Sequence, residues 1–286
     1  MIHIENFQVR GLSGYVKKVR FGDRVVDYWA PPAPSSHILV AHDGQNVLDK
    51  RNIPINPHQR ATWRLAQSAS RIAGYHGLVP PTVICIYHTP FVQDNWGRIK
   101  ELTPQKYMND EKNWTIPSYG VFDQNDKSFV RDLSADSLIT SICEEIVPAI
   151  ATQANQQIIP SNTAIVGGSM GGLAAIYSTI QRPDFFHTAL SFSPHWVIGG
   201  KALAEKMMAD FPSPGSHKLW MSRGSKGLDA LYEESQDYAN KLIKDRGYRE
   251  NMDLKSMTIK RGAHTNATWA RYVPAALDFW LGKGKK

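Results

Sequence analysis

The stretch Ile165-Val166-Gly167-Gly168-Ser169-Met170-Gly171-Gly172-Leu173-Ala174-Ala175 decides the fold. A short apolar run ends in glycines, one serine stands among them, and small residues at helical spacing follow. Residues 167–171 fit G-x-S-x-G. Physically, that pattern is a sharp strand-to-helix turn. The serine takes a strained backbone conformation, and its neighbours must lack bulk. Such a turn lifts the hydroxyl above the end of a sheet. It also sets the next amide, Met170 N–H, at a helix N-terminus, where it can stabilise an oxyanion. Ser169 is therefore expected to be a nucleophile.

Working outward, apolar strand-like runs alternate with helical periods. Residues 14–21 and 24–29 read as a hairpin closed by Gly22-Asp23. Residues 37–41 and 82–87 are continuous apolar runs, as expected of strands buried on both faces. Further strands are expected at 187–192, 218–222 and 254–259, and helices at 63–73, 138–150, 201–210, 231–244 and 270–280. This alternation predicts one α/β domain over 1–286, with a mostly parallel central sheet of about eight strands and helices on both faces. Residues 88–133 have no clear period and carry Trp96, Tyr107, Trp114, Tyr119 and Phe122. A long excursion of this kind inside a compact domain is usually functional, and it is expected to roof a pocket.

Hydrophobic residues make up 42% of the 286, enough for a large core. The net charge is +7, but the basic residues are interspersed with acids and form no stripe with aromatics, which speaks against nucleic-acid binding. The two cysteines, Cys85 and Cys143, sit in apolar segments and read as buried small hydrophobes. The N-terminus lacks the basic and apolar regions of a secretory signal, and no run reaches membrane-spanning length. A cytoplasmic protein with no membrane span is expected. No HExxH or CxxC spacing is present, so neither a metal nor another cofactor is expected.

A serine hydroxyl needs a base, and the base needs an orienting acid. In open α/β sheets such groups gather beyond the carboxyl ends of the strands. His264 follows the last expected strand and is the preferred base. His195 also follows a strand, but too soon after the serine for an acid to intervene. His187 and His217 stand at strand starts. The acid is expected in the loop after residue 222, with Asp229 preferred and Glu233 in reserve as possible first-turn helix charge. The order serine, acid, histidine is that of α/β-hydrolases. A second oxyanion donor is expected from His42-Asp43-Gly44-Gln45-Asn46, with Gln45 N–H favoured and Asn46 or Gly44 as alternatives. Trp96, Trp196 and Trp269 lie near expected strand ends and could line a substrate pocket.

Taken together, these residues resemble the putative esterase branch of the α/β-hydrolase superfamily, which includes esterase D-like enzymes, enterochelin esterases and mycolyltransferases. The similar stretches are His42-Asp43-Gly44-Gln45-Asn46, Arg98 with Glu101-Leu102-Thr103-Pro104, Glu144-Glu145-Ile146-Val147-Pro148, 167–173, Ser191-Phe192-Ser193-Pro194 and Gly262-Ala263-His264-Thr265. Two departures stand out: Gly224-Ser225-Lys226-Gly227-Leu228-Asp229 around the acid, and a tryptophan shifted to Trp269 after the histidine. The resemblance implies the α/β-hydrolase fold and a serine ester hydrolase for small-molecule esters, with Arg98 near the substrate. Acyl transfer by the same triad and a non-catalytic binding protein are the alternatives.

Overall fold

The computed structural model describes residues 1–49, 61–90, 92–108 and 132–282. Among the described residues nine strands form one sheet: β1 Ile2–Phe7, β2 Val16–Phe21, β3 Arg24–Trp29, β4 Ile38–Ala41, β5 Thr82–Ile86, β6 Thr163–Gly168, β7 Thr188–Phe192, β8 Lys218–Lys226 and β9 Leu254–Ala263. Their order is β1-β2-β3-β5-β4-β6-β7-β8-β9. The first three strands pair antiparallel, as does β3 with β5, and every pair from β5 to β9 is parallel. The sheet thus has one strand beyond the expected eight. That strand is β1, whose side chains are exposed from Ile2 to Asn6 on both faces of the sheet edge. With neither face buried, it carries no hydrophobic alternation for a sequence pattern to reveal.

The inner strands are buried on both faces, and successive residues divide between two cores. In β4, Ile38 and Val40 join one cluster, whereas Leu39 and Ala41 join the other. In β5, Ile84 and Ile86 face the first, and Val83 and Cys85 the second. The two-residue period of a strand requires this division. Helices α1 (Leu65–Tyr75) and α8 (Asn266–Leu281) cover the second cluster. The first is covered by α3 (Ala135–Ser141), α4 (Val147–Gln153), α5 (Met170–Gln181), α6 (Gly200–Asp210) and α7 (Glu233–Asp245).

The helix expected at 138–150 is α3 and α4 joined by a π turn, Ile142–Ile146. Pro148 lies just inside α4. Its missing N–H and its ring are incompatible with an unbroken α-helical ladder, and one wide turn absorbs the mismatch. Both cysteines are buried and free, as expected.

Within the aperiodic segment, the described residues include a short helix, α2 (Gly97–Leu102), which sequence reading did not anticipate. Residues 109–131, with Trp114, Tyr119 and Phe122, lie outside the described residues. The described ends of the segment border a cavity of about 350 Å³ lined by Arg24, Thr89, Glu101, Ser134 and Leu138 among others. Ser169 is not among its lining residues.

Candidate active site

Ser169 stands between β6 and α5 with φ 60° and ψ −126°. For a residue with a Cβ this backbone costs on the order of 1–3 kcal/mol and persists only where its surroundings fix it. Here Ser169 N–H donates to Phe192 O at 2.9 Å, and Ser169 O accepts from Leu173 N at 3.1 Å and from His195 N at 3.2 Å. The glycine requirement is steric: a Cβ on Gly167 would stand 2.1 Å from the carbonyl oxygen of Gly171. Ser169 Oγ has no hydrogen-bond partner among the described residues, so the hydroxyl is not tied to the scaffold. Met170 is the first residue of α5, and the first amides of a helix have no partner within it.

At the far end of β9, His264 Nδ1 donates to Asp229 Oδ1 at 2.6 Å. Asp229 is fully buried and belongs to a 3₁₀ segment, Gly227–Tyr232, directly after β8. Its other oxygen accepts from Gly224 N at 2.7 Å and from Ser193 Oγ at 2.9 Å. Buried charge is tolerated only when its lone pairs are met, and three donors on one carboxylate meet that condition. Gly224 has to be glycine, because a Cβ there would lie 2.5 Å from Asp229 Oδ2. Glu233, the reserve acid, is mostly exposed as the first residue of α7. It approaches Arg223 at 3.3 Å rather than His264.

The His264 side is braced from below. Thr265 caps α8, its hydroxyl accepting from Thr268 N at 3.2 Å, which contributes about 1 kcal/mol at such positions. The rings of His264 and Trp269 meet edge-on, 4.9 Å apart. The same indole packs against Gly168, where a Cβ would lie 2.9 Å from Trp269 Cε3. Trp269 therefore spans from the residue before the serine to the histidine. It is a structural wedge with 5% exposure rather than an open pocket wall.

The second oxyanion donor was expected between Gly44 and Asn46, and these residues form a 3₁₀ turn after Asp43. Asn46 N–H already donates to Asp43 O at 2.9 Å, which removes it from consideration. Gln45 N–H remains in the buried turn. The turn is locked by Arg98 from α2: Nε and Nη2 donate to Asp43 Oδ1 and Oδ2 at 2.8 and 2.7 Å. Burial alone would raise the Asp43 pKa. The Arg98 charge and hydrogen bonds outweigh it and hold the carboxyl below its ordinary value.

The remaining expected substrate residues divide. Trp96 is half-buried just before α2 and packs against the first core. Trp196 does not line a pocket. It is fully enclosed, with its indole N–H donating to Gln236 Oε1 at 2.9 Å. Aromatic position near a strand end does not reveal which way the ring turns, and here a buried amide partner draws it inward. Sequence reading missed Ser193, Gly224 and Tyr232. Ser193 lay within the quoted Ser191-Phe192-Ser193-Pro194, and its positive φ of 46° marks a turn fixed for a purpose. Among the described residues, no group of three or more histidine, cysteine or acidic side chains could hold a metal ion, and no helix is long and apolar enough to cross a membrane.

With this geometry in place, comparison with known proteins gives the family. Residues 104–278 match the sequence profile of the Esterase family, described as Putative esterase. The chain belongs to that family. It is similar in structure to the enterobactin esterase FES from Shigella flexneri, with a TM-score of 0.63 and 16% identity over 94% of this chain and 60% of that one. It is also similar to the BES protein from Bacillus cereus, with a TM-score of 0.61 and 15% identity over 96% of this chain and 95% of that one. Among curated sequences it is 23% identical over 155 residues to the uncharacterized protein YbbA of Bacillus subtilis (strain 168), covering 51% of this chain and 60% of YbbA. The chain thus spans about three fifths of the length of both the Shigella esterase and YbbA.

Proposed function

We propose that this Esterase-family chain is a serine carboxylic-ester hydrolase working through an acyl-enzyme on Ser169. The observation that carries the reading is the Asp229–His264 hydrogen bond, linked through Trp269 to the glycine that precedes a serine in the strained elbow conformation. Family membership supports it.

In this reading His264 Nε2 takes the proton of Ser169 Oγ as that oxygen attacks the ester carbonyl. Asp229 holds Nδ1–H, which leaves Nε2 free to accept and favours the imidazolium that forms. Such positioned proton transfer contributes about 10²–10⁴ in rate. Negative charge on the carbonyl oxygen is taken by Met170 N–H and Gln45 N–H, each worth roughly 10²–10³ in kcat. His264 then returns its proton to the departing alcohol, and water repeats the sequence to release the acid. The Arg98–Asp43 clamp fixes the Gln45 turn from behind.

The test is a panel of p-nitrophenyl and natural esters, enterobactin included, run on wild type, Ser169→Ala and His264→Ala. Each substitution should abolish hydrolysis while the circular dichroism spectrum stays that of the wild type. A fluorophosphonate probe should label wild type and not Ser169→Ala. Near-wild-type turnover by either variant would refute the mechanism.

A further inference from the structure

His195 stands outside the Asp229–His264 pair yet touches the same serine. Its backbone N–H donates to Ser169 O at 3.2 Å. Its Nδ1 lies 2.6 Å from the hydroxyl of Tyr232. Tyr232 is fully buried and closes the 3₁₀ segment that carries Asp229. Its ring is edge-on to two imidazoles at once, to His195 at 5.6 Å and 84° and to His264 at 5.6 Å and 86°. The His195 ring itself is half-buried. With the Nδ1 edge against a buried phenol, the edge left without a hydrogen-bond partner among the described residues is the one bearing Nε2.

We propose that His195 Nε2–H is a substrate-binding donor that selects esters carrying a second acceptor oxygen close to the scissile carbonyl. Tyr232 O–H donates to Nδ1, and this fixes the ring proton on Nε2. The inference rests on the serine-esterase reading of the same site.

The electrostatics suit this role. Burial, then the neighbouring His264 and Arg98 charges, bring the His195 pKa down to about 3. The ring therefore stays neutral at neutral pH and does not compete with His264 for the serine proton. A neutral imidazole held below its ordinary pKa is a good hydrogen-bond donor to an oxygen. Because it carries no charge, it adds no repulsion when His264 becomes cationic during turnover.

The experiment compares p-nitrophenyl methoxyacetate with p-nitrophenyl butyrate, two acyl groups of similar shape that differ by an oxygen in place of a methylene. The intrinsic reactivity difference cancels when the ratio of their kcat/KM values is followed across variants. His195→Phe should lower the methoxyacetate-to-butyrate ratio by up to about tenfold, the value of one neutral hydrogen bond, and the loss should lie in KM. His195→Gln, which keeps an amide donor, should retain part of the preference. Tyr232→Phe, which frees the tautomer, should fall between wild type and His195→Phe. An unchanged ratio in both His195 variants, with Ser169 still labelled by fluorophosphonate, would overturn the donor role and leave the esterase reading standing. A wild-type protein that fluorophosphonate does not label would overturn both.

Discussion

The indole N–H of Trp269 donates to the hydroxyl of Ser193 at 3.0 Å, and that hydroxyl in turn donates to Asp229 Oδ2 at 2.9 Å. His264 Nδ1–H donates to the other oxygen of the same carboxylate, Asp229 Oδ1. Three elements are thereby tied to one carboxylate: the turn after β7, the 3₁₀ segment after β8 and the first turns of α8. Ser193→Ala breaks the chain in the middle. It removes one donor from Asp229 and leaves the buried indole N–H without its acceptor. An unsatisfied buried donor costs about 1–3 kcal/mol, so urea unfolding should show a loss in that range. Turnover should fall about tenfold through looser orientation of His264. Ser193→Thr, which keeps the hydroxyl, should recover most of both losses.

Asp229 and Glu233 offer a direct comparison of two carboxylates four residues apart. Asp229 is fully buried on His264, whereas Glu233 is exposed on α7 beside Arg223. Asp229→Asn keeps the shape but presents an amide that can hold His264 in the wrong tautomer, and in a known serine triad such a change lowers kcat by roughly 10⁴. Glu233→Gln removes an exposed carboxylate from the buried Arg223, which keeps Asp237 at 3.9 Å, and should leave kcat/KM within twofold. Equal losses in the two variants would reassign the acid.

These outcomes follow from parts of the site that the sequence made visible to different degrees. Ser169, Asp229 and His264 were legible because each follows a strand end, and parallel sheets gather such positions along one edge. Loop position favours Asp229 over Glu233 in the sequence, whereas the hydrogen bond from His264 is visible only in the tertiary packing. Helix α2 was invisible to periodicity because it has only six residues. Ion pairs hold it, Arg98 on Asp43 and Glu101 on Arg24, together with only Ile99 and Leu102 against the first core. His195 was set aside on chain order alone. Order excludes it as the triad base but is silent on whether it reaches the serine from the other side.

Arg98 and Asp43 form a two-pronged pair whose side chains are 21% and 8% exposed. Arg98→Ala leaves a largely buried carboxylate without its counter-charge. Removing one partner of a fully buried pair costs about 3–5 kcal/mol, and the partial exposure of Arg98 reduces this to about 2–4 kcal/mol here. Because Asp43 begins the Gln45 turn, kcat should also fall, by up to the roughly 10²–10³ associated with one oxyanion donor. Adding Asp43→Asn to Arg98→Ala removes the stranded charge and should restore part of the stability. A double variant no more stable than the single one would show that the loss came from packing rather than charge. Unfolding curves of wild type, Arg98→Ala and the double variant decide it.

Asp27 gives a prediction of stability against pH. It is fully buried in β3 and accepts a hydrogen bond from the Tyr87 hydroxyl at 2.8 Å. Burial, only partly offset by that hydrogen bond and by Lys18, raises its pKa from 3.8 to about 6. The folded state therefore holds the proton more tightly than the unfolded chain does. The stabilisation is fully present below pH 3.8 and is lost as pH rises through about 6. A shift of that size corresponds to about 3 kcal/mol between the two limits. Asp27→Asn keeps an acceptor for Tyr87 and does not titrate. The stability of wild type minus that of Asp27→Asn should therefore decline steadily between pH 4 and pH 6.5 and level off above it. The sign is opposite to that of an ordinary ion-paired aspartate, and opposite to that of buried His42 and His195, whose pKa values of about 4 and about 3 make folding less stable as pH falls below 6.5. Subtracting the Asp27→Asn curve cancels the histidine contribution, because both proteins carry it. A flat difference across that window would show that Asp27 ionises in the folded protein as readily as in the unfolded chain.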